Sequence, residues 1–226
     1  PPHRGTIEMC VIRKIKKDDV INFIKNPKIN PELDISFIWD QISIDDDIIE
    51  AIQKSKICKR VYALNIKSIA SVSPEKLFRF LSETNFHPFF ESKILLQNFR
   101  VMLNDNILED ISRNPVCIKN LIELNLLGAS HITSKGIIAF IKSPYLQDTF
   151  NLSNFLDNIS FQIESESKEI LVSLKESLAR NNIIKLNLSK FHINDVIIKE
   201  VFSNSLPFEN LAYLNVSGLN LTYNGI

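Results

Sequence analysis

The stretch Leu121-Ile-Glu-Leu124-Asn-Leu126-Leu-Gly-Ala129-Ser-His-Ile132-Thr-Ser-Lys-Gly-Ile137-Ile-Ala-Phe140-Ile-Lys-Ser-Pro144 changes its apolar spacing part-way along. Leu124 and Leu126 alternate with polar residues, the period of two that puts side chains on one face of a strand. Ile137, Phe140 and Ile141 follow at i, i+3 and i+4, the spacing of a helix with one buried stripe. Pro144 then stops the helix. Residues 15–27 (Ile15 to Pro27) repeat residues 132–144 with six of thirteen positions identical at a displacement of 117. One strand and one helix cannot bury their apolar faces alone, so the unit has to be stacked on copies of itself.

The same frame recurs along the chain. Val61, Leu64, Ile66, Ile69 and Val72 fit it, as do Leu96, Phe99, Val101, Asn104 and Ile107. Ile183, Leu186, Leu188, Phe191 and Ile193 fit with one residue fewer in the turn, and Leu211, Leu214, Val216, Leu219 and Leu221 repeat that shorter form. Weaker copies begin near Asn30 (Leu33, Ile35, Ile38) and Gln147 (Phe150, Leu152, Phe155). The step is roughly 30 residues. Helix start signals stand where the frame needs them: Ser73-Pro74-Glu75 combines an N-cap, a first-turn proline and an acid, and Asp45-Asp46-Asp47 precedes Ile48. Pro27, Pro115, Pro144 and Pro207 are expected after helices, and Glu164 to Leu178 reads as an amphipathic helix.

Composition narrows the function classes. The 226 residues carry 26 Lys plus Arg against 26 Asp plus Glu, a formal charge of zero, which argues against nucleic acid as the main partner. No apolar run is long enough for a membrane span, so insertion is not expected. Cys10, Cys58 and Cys117 are odd in number and form no CxxC pair, which favours a reducing compartment, cytoplasmic or nuclear, over the pull of sequons at Asn151, Asn158, Asn187, Asn215 and Asn220. His3, His87, His131 and His192 lack metal-ligand spacing, and Asp45–Asp47 is explained by capping rather than by a cation. With no GxSxG, GxxxxGK[ST] or GxGxxG, no catalytic residue, metal or cofactor is assigned and an enzyme is disfavoured. Residues 1–226 read as a single domain, a fragment of a longer chain, exposing core at its ends and so open to end-to-end self-association.

This pattern resembles the leucine-rich repeat family over nearly the whole chain. Leu121 to Ile137 is similar to the cysteine-containing type found in F-box proteins, with Ala129 where that family favours cysteine. Leu211 to Ile226 is nearer the ribonuclease-inhibitor type. The resemblance implies an α/β fold: a right-handed solenoid, or horseshoe, with a parallel inner sheet, outer helices and about eight irregular repeats. The turn position that the family often fills with asparagine or cysteine holds asparagine here only at Asn104. Three functions follow from the resemblance: a protein-protein interaction module, with a substrate-recognition arm of a ubiquitin ligase as its finer form; a GTPase-activating protein of the Ran type; or a structural repeat segment.

On that frame the strand's polar face becomes the concave surface. Its expected partner-binding residues are Arg100, Met102, Glu123, Asn125, Leu127, Lys185, Asn187, Tyr213 and Asn215, a mixture of amides, charges and large groups suited to a protein or peptide ligand. Asn187→Ala is expected to leave stability nearly unchanged. Phe86, Phe89 and Phe90, in a break of the period, form a candidate second contact surface, with burial over a neighbouring helix as the competing reading.

Overall fold

The computed structural model describes residues 6–10, 16–29, 34–39, 44–66, 72–86, 90–94, 103–126, 129, 131–157, 164–202 and 208–222. Five short strands, β1 (Thr6–Cys10), β2 (Asp34–Trp39), β3 (Val61–Ile66), β4 (Glu91–Ile94) and β5 (Leu121–Leu124), form one parallel sheet in sequence order. Helices follow them: α1 (Lys17–Ile24), α2 (Asp46–Lys54), α3 (Pro74–Glu83), α4 (Asp105–Arg113) with the short α5 (Pro115–Lys119), and α6 (Ser134–Ile141). Beyond these come α7 (Leu152–Leu156), α8 (Glu164–Glu176), β6 (Lys185–Asn187), α9 (Asp195–Phe202) and β7 (Tyr213–Asn215). Strands β6 and β7 pair with each other, parallel, in a second sheet of two strands.

The core lies between sheet and helices. Leu121, Leu124 and Leu126 are buried on one side of it, and Ile137, Phe140 and Ile141 meet them from α6. Helix α1 packs on α2, α4 on α6, α6 on α8, and α8 on α9.

Polar residues at fixed places start and stop these helices. The side chains of Asp45, Ser73, Asn104 and Thr133 accept from the amides of Ile48, Lys76, Ile107 and Lys135, filling donors that a helix start leaves unpaired. At helix ends, Ser55 and Ser143 each accept from the amide two residues on and donate to a carbonyl 31 residues back. Ser55 Oγ reaches Ile24 O at 2.8 Å, and Ser143 Oγ reaches Ser112 O at 2.6 Å. A matching pair of ties sits at helix starts. Asp105 accepts from both the amide (2.8 Å) and the hydroxyl (2.6 Å) of Thr133, and Asp195 accepts from the same two groups of Thr222.

The solenoid expectation fails at the sheet. A horseshoe requires one continuous inner ladder, and the described residues form two separate parallel sheets, of five strands and of two. The interruption falls at the copy beginning near Gln147. Its apolar residues Leu152, Phe155 and Leu156 are spaced i, i+3, i+4, so they make helix α7, which packs against β5 on one side and β6 on the other. Aromatic volume accounts for the choice. Phe155 from α7 and Phe150 from the turn before it enclose Phe140, with ring centroids 4.9–5.7 Å apart among the three.

The strand phrase expected at Leu96 to Val101 lies outside the described residues. Ahead of it stands β4, which the frame does not mark: Ile94 pairs with Leu124, and the amide of Ser92 donates to Asn120 O at 2.7 Å. In β2, Ser36 stands opposite Glu8. Helix α8 forms at Glu164–Glu176 with Ile170, Leu171 and Leu174 buried, whereas Leu178 lies beyond its end and is exposed.

Candidate functional site

Glu123, Lys185 and Tyr213 lie on β5, β6 and β7, and strand alternation turns Glu123 and Lys185 away from the buried Leu124 and Leu186 beside them. In register, Lys185 stands opposite Tyr213, Leu186 opposite Leu214 and Asn187 opposite Asn215. Helix α7 fills the space between Glu123 and Lys185 with two polar groups of its own. Asn154 Nδ2 donates to Glu123 Oε1 at 2.8 Å, and Asp157 Oδ2 lies 3.6 Å from Lys185 Nζ. Lys185 Nζ in turn sits 5.7 Å from the centroid of the Tyr213 ring, within cation–π range. The result is a row that runs acid, amide, acid, base, aromatic.

The row is rimmed by exposed apolar groups. Ile184 is 60% exposed and Tyr213 53%. Leu214 is 39% exposed although Leu186, its register partner, is fully buried. A backbone knot holds these together, since Ile184 O accepts from the amides of both Ala212 (2.8 Å) and Tyr213 (3.1 Å).

Of the residues expected from sequence, Glu123, Lys185 and Tyr213 come together here, with Asn187 and Asn215 beside them. The two asparagines have local work. Asn187 Oδ1 accepts from the amide (3.2 Å) and hydroxyl (2.7 Å) of Ser189, and Asn215 Oδ1 accepts from the amide of Ser217 at 3.0 Å. They shape the turns after β6 and β7, in the manner of Asx-turns. Asn125 follows β5 and is half-buried. Arg100, Met102, Leu127 and Phe89 lie outside the described residues. Phe86 and Phe90 do not form a contact surface. Both are buried, stacked with centroids 4.0 Å apart, and Phe86 meets Phe80 of α3 edge-on at 5.3 Å. Large rings beside an apolar helix face gain more from that burial than from water.

Asn154, Asp157 and Ile184 were missed. The signal for the first two was their spacing with Asn151, three residues apart, which places all of them on one side of a helical turn. A strand reading of that segment hides it.

Among the described residues, the thiols and imidazoles make no contact with this row. Cys117 is buried, and burial pushes its thiol up to about 12, which leaves it protonated at neutral pH. His131 and His192 are exposed on turns at the starts of different helices. Among the described residues, no three His, Cys, Asp or Glu side chains gather as a metal ligand set, and no helix is long and apolar enough to cross a membrane.

No family model matches the chain, and no curated protein matches it. Among solved structures it is similar to a chain in the crystal structure of the Rad7 and Elc1 complex in yeast, at 15% identity and a TM-score of 0.45. The match covers 100% of this chain and 66% of that one, so this chain spans just under two thirds of its length.

Proposed function

We propose that this chain is a non-enzymatic protein-binding module that takes a protein partner on the outward face of β6 and β7, next to α7. The observation that carries the reading is the juxtaposition of exposed Tyr213 with Lys185, with exposed Ile184 joined to Tyr213 through its backbone carbonyl. An exposed aromatic beside a cation and a large apolar side chain is the composition of interface anchors. Asp157 and Glu123 add the opposite charge within the same row, which sets orientation more than affinity. The F-box-like phrase of residues 121–137 directs the first search for partners to subunits and substrates of ubiquitin ligases.

The test is quantitative affinity purification from cells, comparing the wild-type protein with a Lys185→Glu, Tyr213→Ala variant whose fold is verified by circular dichroism. Hot-spot loss of about 1.4 kcal/mol or more lowers recovery of a direct partner by roughly tenfold. Partners lost selectively from the variant, and rebinding in purified form, support the reading. An unchanged partner list refutes it.

A further inference from the structure

A second surface lies on the helical layer, far in sequence from the row above. Where α1 and α2 end, the chain leaves a groove of about 390 Å³, within the range of about 300–1,000 Å³ typical of ligand sites. Buried Ile24, Ala51 and Ile57 lie behind it, Pro27 and half-buried Ile29 supply its accessible apolar surface, and Lys25, Lys54 and Lys56 stand at its rim. Ser55 fixes the two walls by its bond to Ile24 O.

The charge here is lopsided in a chain whose net charge is zero. Residues 25–29 and 54–60 hold six Lys and Arg and no Asp or Glu. Lys54 is in the last turn of α2, where a cation complements the helix dipole, and it pairs with Glu50. Lys25 and Lys56 lie outside the helices and are exposed; the charge of Lys25 helps to lower the carboxyls of Asp47 and Glu50. Capping therefore accounts for Lys54, two acids on α2 partly balance Lys25, and Lys56 is left.

We infer that the groove between the ends of α1 and α2 binds an acidic peptide segment of a partner protein, with an apolar side chain against Pro27 and Ile29 and carboxylates on Lys25 and Lys56. That apolar surface separates this occupant from a bare polyanion. A phosphate backbone would use the lysines and leave the apolar surface between them wet, whereas a leucine or phenylalanine flanked by Asp and Glu satisfies both. The site is independent of the β6–β7 face, and either surface can fail without the other.

The test uses the whole 226-residue chain and a fluorescent short peptide of Asp and Glu carrying one leucine and one phenylalanine. Polarisation is measured beside the same peptide with both apolar residues changed to serine, poly-uridylate, and vesicles of equimolar phosphatidylcholine and phosphatidylserine. Binding of the apolar-acidic peptide should weaken about tenfold in Lys25→Glu, Lys56→Glu and fall steeply with added salt. A charge-matched control, Lys119→Glu with Lys199→Glu, and the folded Lys185→Glu, Tyr213→Ala variant should both bind as the wild type does. The inference is overturned if the wild type does not bind the peptide, if the serine peptide binds equally well, or if the control loses as much as the groove variant. Tighter binding of poly-uridylate or of the vesicles overturns it in favour of a polyanion or a membrane surface.

Discussion

Gly136→Ala gives a result whose sign separates two physical accounts. In an exposed helix interior, replacing glycine by alanine stabilises by about 1 kcal/mol, because alanine restricts the unfolded chain and favours the helix. Gly136 is in the first turn of α6, where a Cβ would stand 2.9 Å from Asp105 Cα and closer still to its Oδ1. Real Cβ atoms do not tolerate such an approach to backbone, so α4 and α6 must separate and Asp105 must release Thr133. Two hydrogen bonds to a carboxylate are then weakened, at 2.8 Å and 2.6 Å. Each is solvent-accessible and contributes about 1 kcal/mol, the value of an ordinary hydrogen bond, because water competes for the carboxylate. Adding the steric displacement and subtracting the helix gain leaves a net destabilisation of about 1–3 kcal/mol. For a chain of this size that is roughly 2–12 °C in Tm, measured by far-UV circular dichroism with urea titrations as a second readout. An unchanged or raised midpoint would refute the close approach of α4 and α6 and, with it, the Asp105–Thr133 tie.

Other perturbations probe different parts of the same arrangement. Leu186→Ala removes a fully buried side chain of β6 and should cost about 2–5 kcal/mol in urea denaturation; a loss within error would mean that β6 is misplaced. Asn187→Ala, nearly neutral on the strand reading, should instead cost about 1 kcal/mol because Ser189 loses its acceptor, and Asn187→Asp should retain most of it. The carboxyl of Asp195 is held below the usual carboxylate range, chiefly by the Thr222 hydroxyl and then by its amide. A lowered folded-state pKa gives stability that is present above the unfolded value and lost as pH falls through the folded one. The Asp195→Asn variant should therefore show a shallower loss of stability below the ordinary carboxylate pKa; equal acid profiles would argue that the tie does not form in solution.

Some of this was legible in the sequence because a single physical signal marked it. Ser73 and Asp45 were readable as caps since a short polar acceptor before an apolar helical stripe has little else to do. The buried stripes of α6 and α8 followed from 3.6-residue spacing, and the strand phrase at Leu121 from alternation. Residues 147–156 were not legible in the same way. Phe150, Leu152 and Phe155 fit a strand frame if the first two are counted and a helix if Leu156 is included, and only the three-ring packing on Phe140 decides between them. The β4 segment was not legible because Glu91–Ile94 lacks the leucine alternation, Ser92 occupying its buried position through bonds to Asn120. As for the candidate site, strand alternation found Glu123, Lys185 and Tyr213, whereas Asp157 and Asn154 depended on the helix that the frame concealed.

Helix α7 also sets how far cooperativity can travel. Neighbouring strands within the five-stranded sheet share several ladder hydrogen bonds, so one cannot detach without cost to the next. Among the described residues, backbone groups bridge β5, α7 and β6 through Asn151 N–H to Ile122 O at 2.9 Å and Lys185 N–H to the Ser153 side-chain Oγ at 3.4 Å, in place of a strand ladder. That seam is where sub-global opening will begin. Residues after it can exchange their amides while β1 to β5 remain protected, which gives two folding units of unequal stability along one chain. A partner held on β6 and β7 then stabilises the weaker unit by mass action, and its binding is read most sensitively as slowed exchange there rather than as a rise in the melting point of the whole.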